Sequence, residues 1–250
     1  MLELLGSGTV TLSGTNSYIG GTIINAGQLN INNGGDPTDG TAVGLGPLTI
    51  NAGATIDNTS GSNVTLQASI SETWNGNFTY LGSSNSFNTG SGPVNLGSSL
   101  SIAVNSNTFT VGNYISDNGL NYTLTKTGNG TLTLPVANNF GSAFGGGLTL
   151  SSGQLNLGDP YAAGYGVFTI AGGAIDNISG AEFLLTPASF VWSGNFSFLG
   201  TTNLDLYGTV VVPGPGSVTV NVVSNTLSTF GDITSGNTTV SGGTLALSYP

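Results

Sequence analysis

Apolar and polar residues alternate along many short stretches of this chain. In residues 9–12, 100–104 and 218–222, every second side chain is aliphatic and the side chains between are mostly Thr, Ser or Asn. A period of two sends successive side chains to opposite faces of a β-strand. The pattern therefore predicts many short strands, each with one aliphatic face.

Clusters of Gly, Ser and Asn interrupt these runs every few residues. Such clusters supply the positive φ angles and tight turns that separate strands. No segment shows an apolar stripe of helical period, and Gly, Thr, Val and Asn are poor helix formers. An all-β fold with essentially no helix is expected.

The sequence repeats itself with a long period. The stretch "GGTIINAGQLNI" from Gly20 returns as "GGLTLSSGQLNL" from Gly146, and "GLGPLTINAGATIDNTSG" from Gly44 returns as "GYGVFTIAGGAIDNISG" from Gly164. "SGGTLAL" from Ser241 matches the start of both copies. The copies are roughly 120 residues long, above the usual length of one structural repeat, so each is predicted to contain several coils.

An open array of this kind favours a parallel β-solenoid over a sandwich or a propeller, which close on a fixed number of elements. At roughly 20 to 25 residues a coil, one copy would supply about five or six coils. We predict one continuous rod in which residues 1–127 form the first repeat, residues 128–240 the second, and residues 241–250 the start of a third.

The chain has two tryptophans, and both lie in similar frames: "ETWNGNFTYLGSSN" and "FVWSGNFSFLGTTN". Three aromatic residues in each frame share one parity, which predicts that they point to one face of their strand. Apolar residues of matching parity are usually buried, so core packing is favoured over an exposed platform that binds sugars. The residues are Trp74, Phe78 and Tyr80 in the first frame, and Trp192, Phe196 and Phe198 in the second.

Composition narrows the function classes. The chain has 11 Asp and Glu against a single Lys, no Arg and no His, and its formal charge is -10. Nucleic acids and anionic membranes attract clusters of Lys or Arg, so both partners are excluded. Without Cys or His there is no disulfide, no thiolate or imidazole metal site and no His-based triad.

Two further features bear on origin and folding. Hydrophobic residues make up 38% of the chain, which is enough for a buried core and unlike a disordered sequence. The start lacks the basic and apolar regions of a secretory signal, and no apolar stretch approaches membrane-spanning length. We therefore expect an interior or processed piece of a longer exported protein, with no membrane insertion by this segment.

The acidic residues offer few candidates for chemistry. A glycosidase needs two carboxylates at a defined separation. Asp57 and Asp176 occupy equivalent "IDN" frames a whole period apart, and Glu72 has no acidic counterpart in the second frame. We predict that the two Asp-Asn pairs end strands and that their side chains accept hydrogen bonds from turn amides.

Calcium could use three of the acidic residues. Asp36 and Asp39 lie in "GGDPTDG" and Asp159 lies in "GDPY". The calcium-binding nonapeptide repeat is absent, and two acids in a Pro/Gly loop most often make a turn. No catalytic residue, metal or cofactor is therefore assigned.

The stretch Gly6–Leu29, "GSGTVTLSGTNSYIGGTIINAGQL", resembles the autotransporter-associated β-strand repeat of large bacterial surface proteins. That repeat reads approximately G-x-G-T-L-x-L-x-G-x-N-x-Y-x-G-G-T-x-I-x-x-G-x-L. "LTKTGNGTLTL" at Leu124–Leu134 is similar, with the customary Lys at Lys126, although Phe140 stands where the first copy has Tyr18. The resemblance implies a right-handed β-helix displayed outside the cell.

The function expected from these features is structural: an extracellular stalk, coat or self-assembling filament without catalysis, whose partner is itself, end to end or laterally. A surface adhesin that binds glycans through exposed tyrosines is the alternative, and a glycoside hydrolase on a β-helix is remote. An ice-binding solenoid would need rows of T-x-T, of which the sequence offers isolated instances. The tyrosines of the adhesin alternative are Tyr18, Tyr80, Tyr161 and Tyr165.

Overall fold

A computed structural model describes residues 1–36, 38–143 and 145–248. It divides into two compact units: the first contains Met1–Asn118 and Thr127–Leu132, and the second contains Gly119–Lys126 and the chain from Thr133 onward. Residues 249 and 250, the end of the predicted third repeat, lie outside the described residues. Among the described residues, no helix has the length and apolarity needed to cross a membrane.

The first unit is built from short strands joined by tight corners. They are β1 (Leu2–Leu4), β2 (Thr9–Leu12), β3 (Thr22–Ile24), β4 (Gln28–Ile31), β5 (Leu48–Ile50), β6 (Thr55–Asp57), β7 (Val64–Thr65), β8 (Glu72–Trp74), β9 (Phe78–Tyr80), β10 (Phe87–Asn88), β11 (Val94–Leu96), β12 (Leu100–Val104), β13 (Thr108–Thr110) and β14 (Ile115–Ser116).

The next two strands have residues in both units, and the second unit holds the rest. They are β15 (Thr123–Thr127), β16 (Thr131–Leu134), β17 (Gly147–Leu150), β18 (Gln154–Leu157), β19 (Val167–Ile170), β20 (Ala174–Asn177), β21 (Phe183–Leu185), β22 (Ser189–Trp192), β23 (Phe196–Phe198), β24 (Leu204–Tyr207), β25 (Val210–Phe230) and β26 (Ile233–Leu247).

Strands of the first unit stack in parallel on three sides of a coil. The first side is β1-β3-β5-β8-β11-β14. The second joins β2, β4, β6, β9 and β12, and the third joins β7, β10 and β13. Partner residues lie one coil apart, as in Leu2 with Thr22 and Thr22 with Leu48. The coils are thus close to the predicted length, and the predicted parallel β-solenoid is confirmed.

The second unit follows the same plan. On one side β15, β17, β19 and β22 pair in parallel, on another β18, β20 and β23, and on the third β21 and β24. The long strand β25 passes around the coil and pairs in turn with β22, β23 and β24. Its register against β26 shifts between Val212 and Ser217 and again between Val222 and Thr226, which marks the two corners.

Inward side chains form the core by stacking from coil to coil. Ile24, Ile50, Trp74 and Leu96 pair in register along the first side, and all four are buried. Along β12 the alternation is confirmed, since its three aliphatic residues are buried and the two between them are half-buried. Burying one such aliphatic side chain contributes roughly 1.5 to 3 kcal/mol to the free energy of unfolding. The stacked inward side chains therefore supply much of the stability of the fold.

Corners demand glycine where coils approach closely. Gly27 has φ +78°, and a Cβ there would lie 2.4 Å from the carbonyl oxygens of Gly6 and Gly8. Gly173 in the second unit has φ +80° and the same close approach to the Gly153 carbonyl, at 2.4 Å. A side chain at either position would push neighbouring coils apart and strain the backbone.

Candidate functional site

The two tryptophans occupy equivalent niches. Each is fully buried, and each meets the next aromatic residue of its frame edge-on: the Trp74 and Phe78 ring centroids are 5.1 Å apart at 67°, and those of Trp192 and Phe196 are 5.2 Å apart at 67°. The prediction of core packing is confirmed. The prediction that the three aromatic residues of a frame lie on one strand is wrong, because β8 ends at Trp74 and β9 begins at Phe78 after a corner.

Polar groups around the two indoles differ. The Nε1–H of Trp74 donates to Oε2 of Glu72 over 2.8 Å, whereas Nε1 of Trp192 is buried without a hydrogen-bond partner. Phe190 stands where Glu72 would be in the second frame. The hydrogen-bonded acid is therefore a feature of the first unit.

Glu72 is shielded from solvent. It is 1% exposed, and its Oε1 has no hydrogen-bond partner. Burial raises the pKa of Glu72 to about 8, although the hydrogen bond from Trp74 acts in the opposite direction. A carboxyl group so enclosed has no route to a substrate, so its raised pKa marks a structural group here rather than a general acid.

Asp57 and Asp176 each accept hydrogen bonds from a corner of the next coil. Oδ1 of Asp57 accepts the backbone N–H of Ser83 over 3.0 Å, and Oδ2 accepts the Ser83 hydroxyl. Oδ1 of Asp176 accepts the N–H of Thr201 over 2.8 Å, and Oδ2 accepts its hydroxyl over 2.6 Å. The predicted strand-end role is confirmed, and the bonded partner lies one coil further along the chain.

The acids considered for calcium make local turns. Oδ1 of Asp36 accepts the N–H of Thr38 over 2.8 Å and its hydroxyl over 2.6 Å, which lowers the Asp36 pKa. Oδ1 of Asp159 accepts the N–H of Tyr161 over 2.8 Å. Pro37, inside the "GGDPTDG" stretch, lies outside the described residues. Within the described part of the chain, no three Asp, Glu, His or Cys residues cluster as metal ligands would.

Lys126 is buried, and its position in an alternating stretch could have predicted this. In "TLTKT" it shares the parity of Leu124, and it pairs with Leu150 on the next coil. Its Nζ donates to the Ser152 carbonyl over 3.1 Å, and burial lowers its pKa to about 8. This lysine therefore offers no exposed positive charge.

Glu182 and Asp205 form an acidic pair that sequence reasoning missed. Burial raises the pKa of Asp205; a hydrogen bond from Ser228 opposes this shift, and the neighbouring Glu182 carboxylate adds to it. Asn203 donates to Oε2 of Glu182 over 2.7 Å. Glu182 lies directly before β21, and Asp205 lies in β24, which pairs with β21. No sequence signal pairs the two acids.

The four tyrosines of the adhesin alternative differ in their exposure to solvent. Tyr80 is buried, and its hydroxyl donates to the Asn85 carbonyl. The suggestion that Tyr80 is an exposed sugar-binding platform is therefore wrong. Tyr18 is half-buried, with its hydroxyl 2.7 Å from Oγ1 of Thr22. Tyr161 and Tyr165 are 42% and 44% exposed, and their ring centroids are 5.6 Å apart at 41°. The structure brings these two together at the surface.

A polar cleft of about 440 Å³ opens on the first unit. Amide and hydroxyl side chains and glycine backbone make up most of its lining, and one acid contributes. The lining residues include Asn32, Asn33, Asp36, Ser62, Asn63 and Gln67.

Stacked parallel coils, buried aromatic frames and acids bonded to corner amides define a β-solenoid of repeated units. Residues 2–31 and 124–157 match the family model described as Passenger-associated-transport-repeat. No curated protein and no solved structure matches the chain. The resemblance to the autotransporter repeat is confirmed for these two segments, which match the passenger-associated-transport repeat, and the fold is a β-solenoid. The family suggests a surface or extracellular location.

Proposed function

We propose that this chain is a non-catalytic, structural part of a rod or fibre at the bacterial surface. The observation that carries the proposal is the parallel, in-register stacking of coils within each unit, in which each coil presents the backbone groups that the next one pairs with. Such stacking extends by repetition, which suits a protein whose task is to project or to space.

The use of the acidic side chains supports a role without catalysis. Both carboxylate oxygens of Asp57 and of Asp176 accept hydrogen bonds from a backbone N–H and a hydroxyl at a corner of the same unit. Glu72 is enclosed in the core. A glycoside hydrolase needs two carboxyl groups that flank a bound sugar. None of these three residues offers that arrangement.

Self-association belongs to the proposal, end to end or laterally. Coils that pair through parallel backbone hydrogen bonds offer the same pairing to coils of a second copy. A head-to-tail contact of this kind does not close on itself, so it would lengthen the fibre.

Electron microscopy of the native surface material tests the structural role, and a reducing-sugar assay with purified protein tests the absence of hydrolysis. We expect thin rods or filaments of uniform width, and no sugar release from plant, bacterial or animal polysaccharides. Compact globular particles would contradict the rod, and release abolished by Glu182→Gln or Asp205→Asn would contradict the absence of catalysis.

A further inference from the structure

We propose that Tyr161 and Tyr165 form a stacking platform that binds a neutral saccharide. The two rings lie side by side on the loop between β18 and β19, at 5.6 Å and 41°, and each is more than two-fifths exposed. A phenol ring offers an apolar face with a polar hydroxyl at its edge. A pyranose can pack its C–H face on the ring face and hydrogen-bond the tyrosine hydroxyl with the hydroxyls at its rim.

Hydrogen bonds hold the backbone of both tyrosines in place before any ligand arrives. The Tyr161 carbonyl accepts the N–H groups of Asn138 and Gly164 over 3.1 and 2.9 Å, and the Tyr165 N–H donates to the Phe140 carbonyl over 3.0 Å. Asp159 fixes the Tyr161 N–H in addition. A ligand therefore meets two rings on a hydrogen-bonded backbone, and little backbone conformational entropy is lost on binding.

Two buried residues anchor the loop between the rings. Ala162 and Ala163 are 0% exposed, and the Ala162 carbonyl accepts Nδ2–H of Asn138 over 2.7 Å. Gly164 has φ +74°, and a Cβ there would lie 2.6 Å from the Phe140 carbonyl oxygen. The loop is thus tied inward at its centre and carries its tyrosines on either side.

The first unit has the same loop without the platform. There the Thr41 carbonyl accepts the N–H groups of Asn16 and Gly44 over 2.9 and 3.1 Å, and the Leu45 N–H donates to the Tyr18 carbonyl over 3.0 Å. Thr41 thus matches Tyr161 and Leu45 matches Tyr165. Since one backbone serves both pairs, the fold does not require two tyrosines in the second unit.

Charge and ring spacing select the class of ligand. The chain has a formal charge of -10 and its one Lys is buried, so phosphate backbones and other polyanions are repelled. A proline-rich peptide docks in a groove between aromatic ridges. The Tyr161 and Tyr165 ring centroids lie 5.6 Å apart, too close for a proline ring to enter between them, which favours a ligand lying across their exposed faces.

The test uses the full 250-residue chain on a printed array of neutral oligosaccharides built from glucose, galactose, mannose and N-acetylglucosamine. Hits are then measured by calorimetry. We expect binding by the native chain, and affinity about tenfold weaker for Tyr161→Thr or Tyr165→Leu, which equals about 1.4 kcal/mol for each ring. Both substitutions insert residues that the matching loop already carries.

Tyr207→Leu is the matched control, because Tyr207 is 54% exposed in the same unit but lies outside the pair. Its affinity should equal that of the native chain, and thermal melting should confirm that all variants fold. No binding on the array, native affinity in the variant that carries both Tyr161→Thr and Tyr165→Leu, or preferential binding of a decaproline peptide would each overturn the proposal. None of these outcomes changes what electron microscopy shows, so the structural role stands or fails separately.

Discussion

The two units solve the same packing problem around tryptophan with different polar partners. In the first unit, a buried carboxyl group accepts the indole N–H; in the second, Phe190 fills that position and the Trp192 N–H is left without a partner. Ring geometry is nevertheless the same in both, at 67° to the neighbouring phenylalanine. Apolar packing therefore fixes the niche, and the hydrogen bond is an addition to it.

One corner of the coil shows a similar contrast. In the first unit, Asn51 donates to Asn25 over 2.6 Å and accepts from Asn75 over 2.8 Å, so amides form a ladder from coil to coil. The second unit has Ser151 and Ala171 where the repeat places Asn25 and Asn51. Since both units stack in parallel, backbone pairing suffices for the solenoid and the ladder contributes less.

Removing either indole should have the largest effect. Trp74→Ala and Trp192→Ala each leave a cavity in a core that is closed to water, at a cost of about 3 to 5 kcal/mol of unfolding free energy. Hydrogen exchange resolved by peptide would show protection lost first around the substituted frame. Similar costs are expected for both variants; a cost below about 1 kcal/mol at Trp192 would show that the niches are not equivalent.

Ionisation of Glu72 should make the first unit sensitive to pH. Its pKa rises from 4.5 to about 8 on folding, so the folded state favours the neutral acid. This contribution to stability is complete below pH 4.5 and is lost as the pH rises toward 8, by on the order of a few kcal/mol. Glu72→Gln keeps an acceptor for Trp74 and removes the titration.

Guanidinium unfolding at several pH values, followed by Trp74 fluorescence in a Trp192→Phe background, measures this effect. The parent variant should lose stability between pH 4.5 and 8, and the Glu72→Gln variant should lose clearly less. Equal slopes with and without Glu72 would show that the acid is not buried in solution.

Much of this fold could be predicted from the sequence, because it depends on local parity and on repetition. The alternation at 100–104 and the matching tryptophan frames gave the inward residues and the stacking. Hydrogen bonds between coils are harder to predict from the sequence. Asp57 accepts from Ser83, 26 residues away. Because coil lengths vary from one turn to the next, sequence spacing does not identify the partner. The pairing of Tyr161 with Tyr165 depends on a turn that sequence pattern does not specify.

Replacing the indoles by phenylalanine should separate packing from hydrogen bonding. Trp74→Phe removes the donor to Glu72 and leaves a buried carboxyl group without its one bonded partner, whereas Trp192→Phe removes an N–H that has no partner. The first change should therefore cost about 1 to 3 kcal/mol more than the second. Chemical denaturation followed by circular dichroism compares them, and equal losses would show that the Glu72 bond contributes nothing.

The smallest effect is expected at the asparagine ladder. Asn51→Ala copies Ala171 of the second unit, removes two side-chain hydrogen bonds, and leaves Asn25 and Asn75 access to water because the corner is half-exposed. Each bond contributes about 0.5 to 1.5 kcal/mol when buried, so a loss of about 1 kcal/mol is expected here. The reciprocal Ala171→Asn should change stability by less than about 0.5 kcal/mol, since Ser151 offers no amide to continue a ladder. A loss above about 3 kcal/mol for Asn51→Ala would mean that the ladder, rather than backbone pairing, holds the coils of the first unit in register.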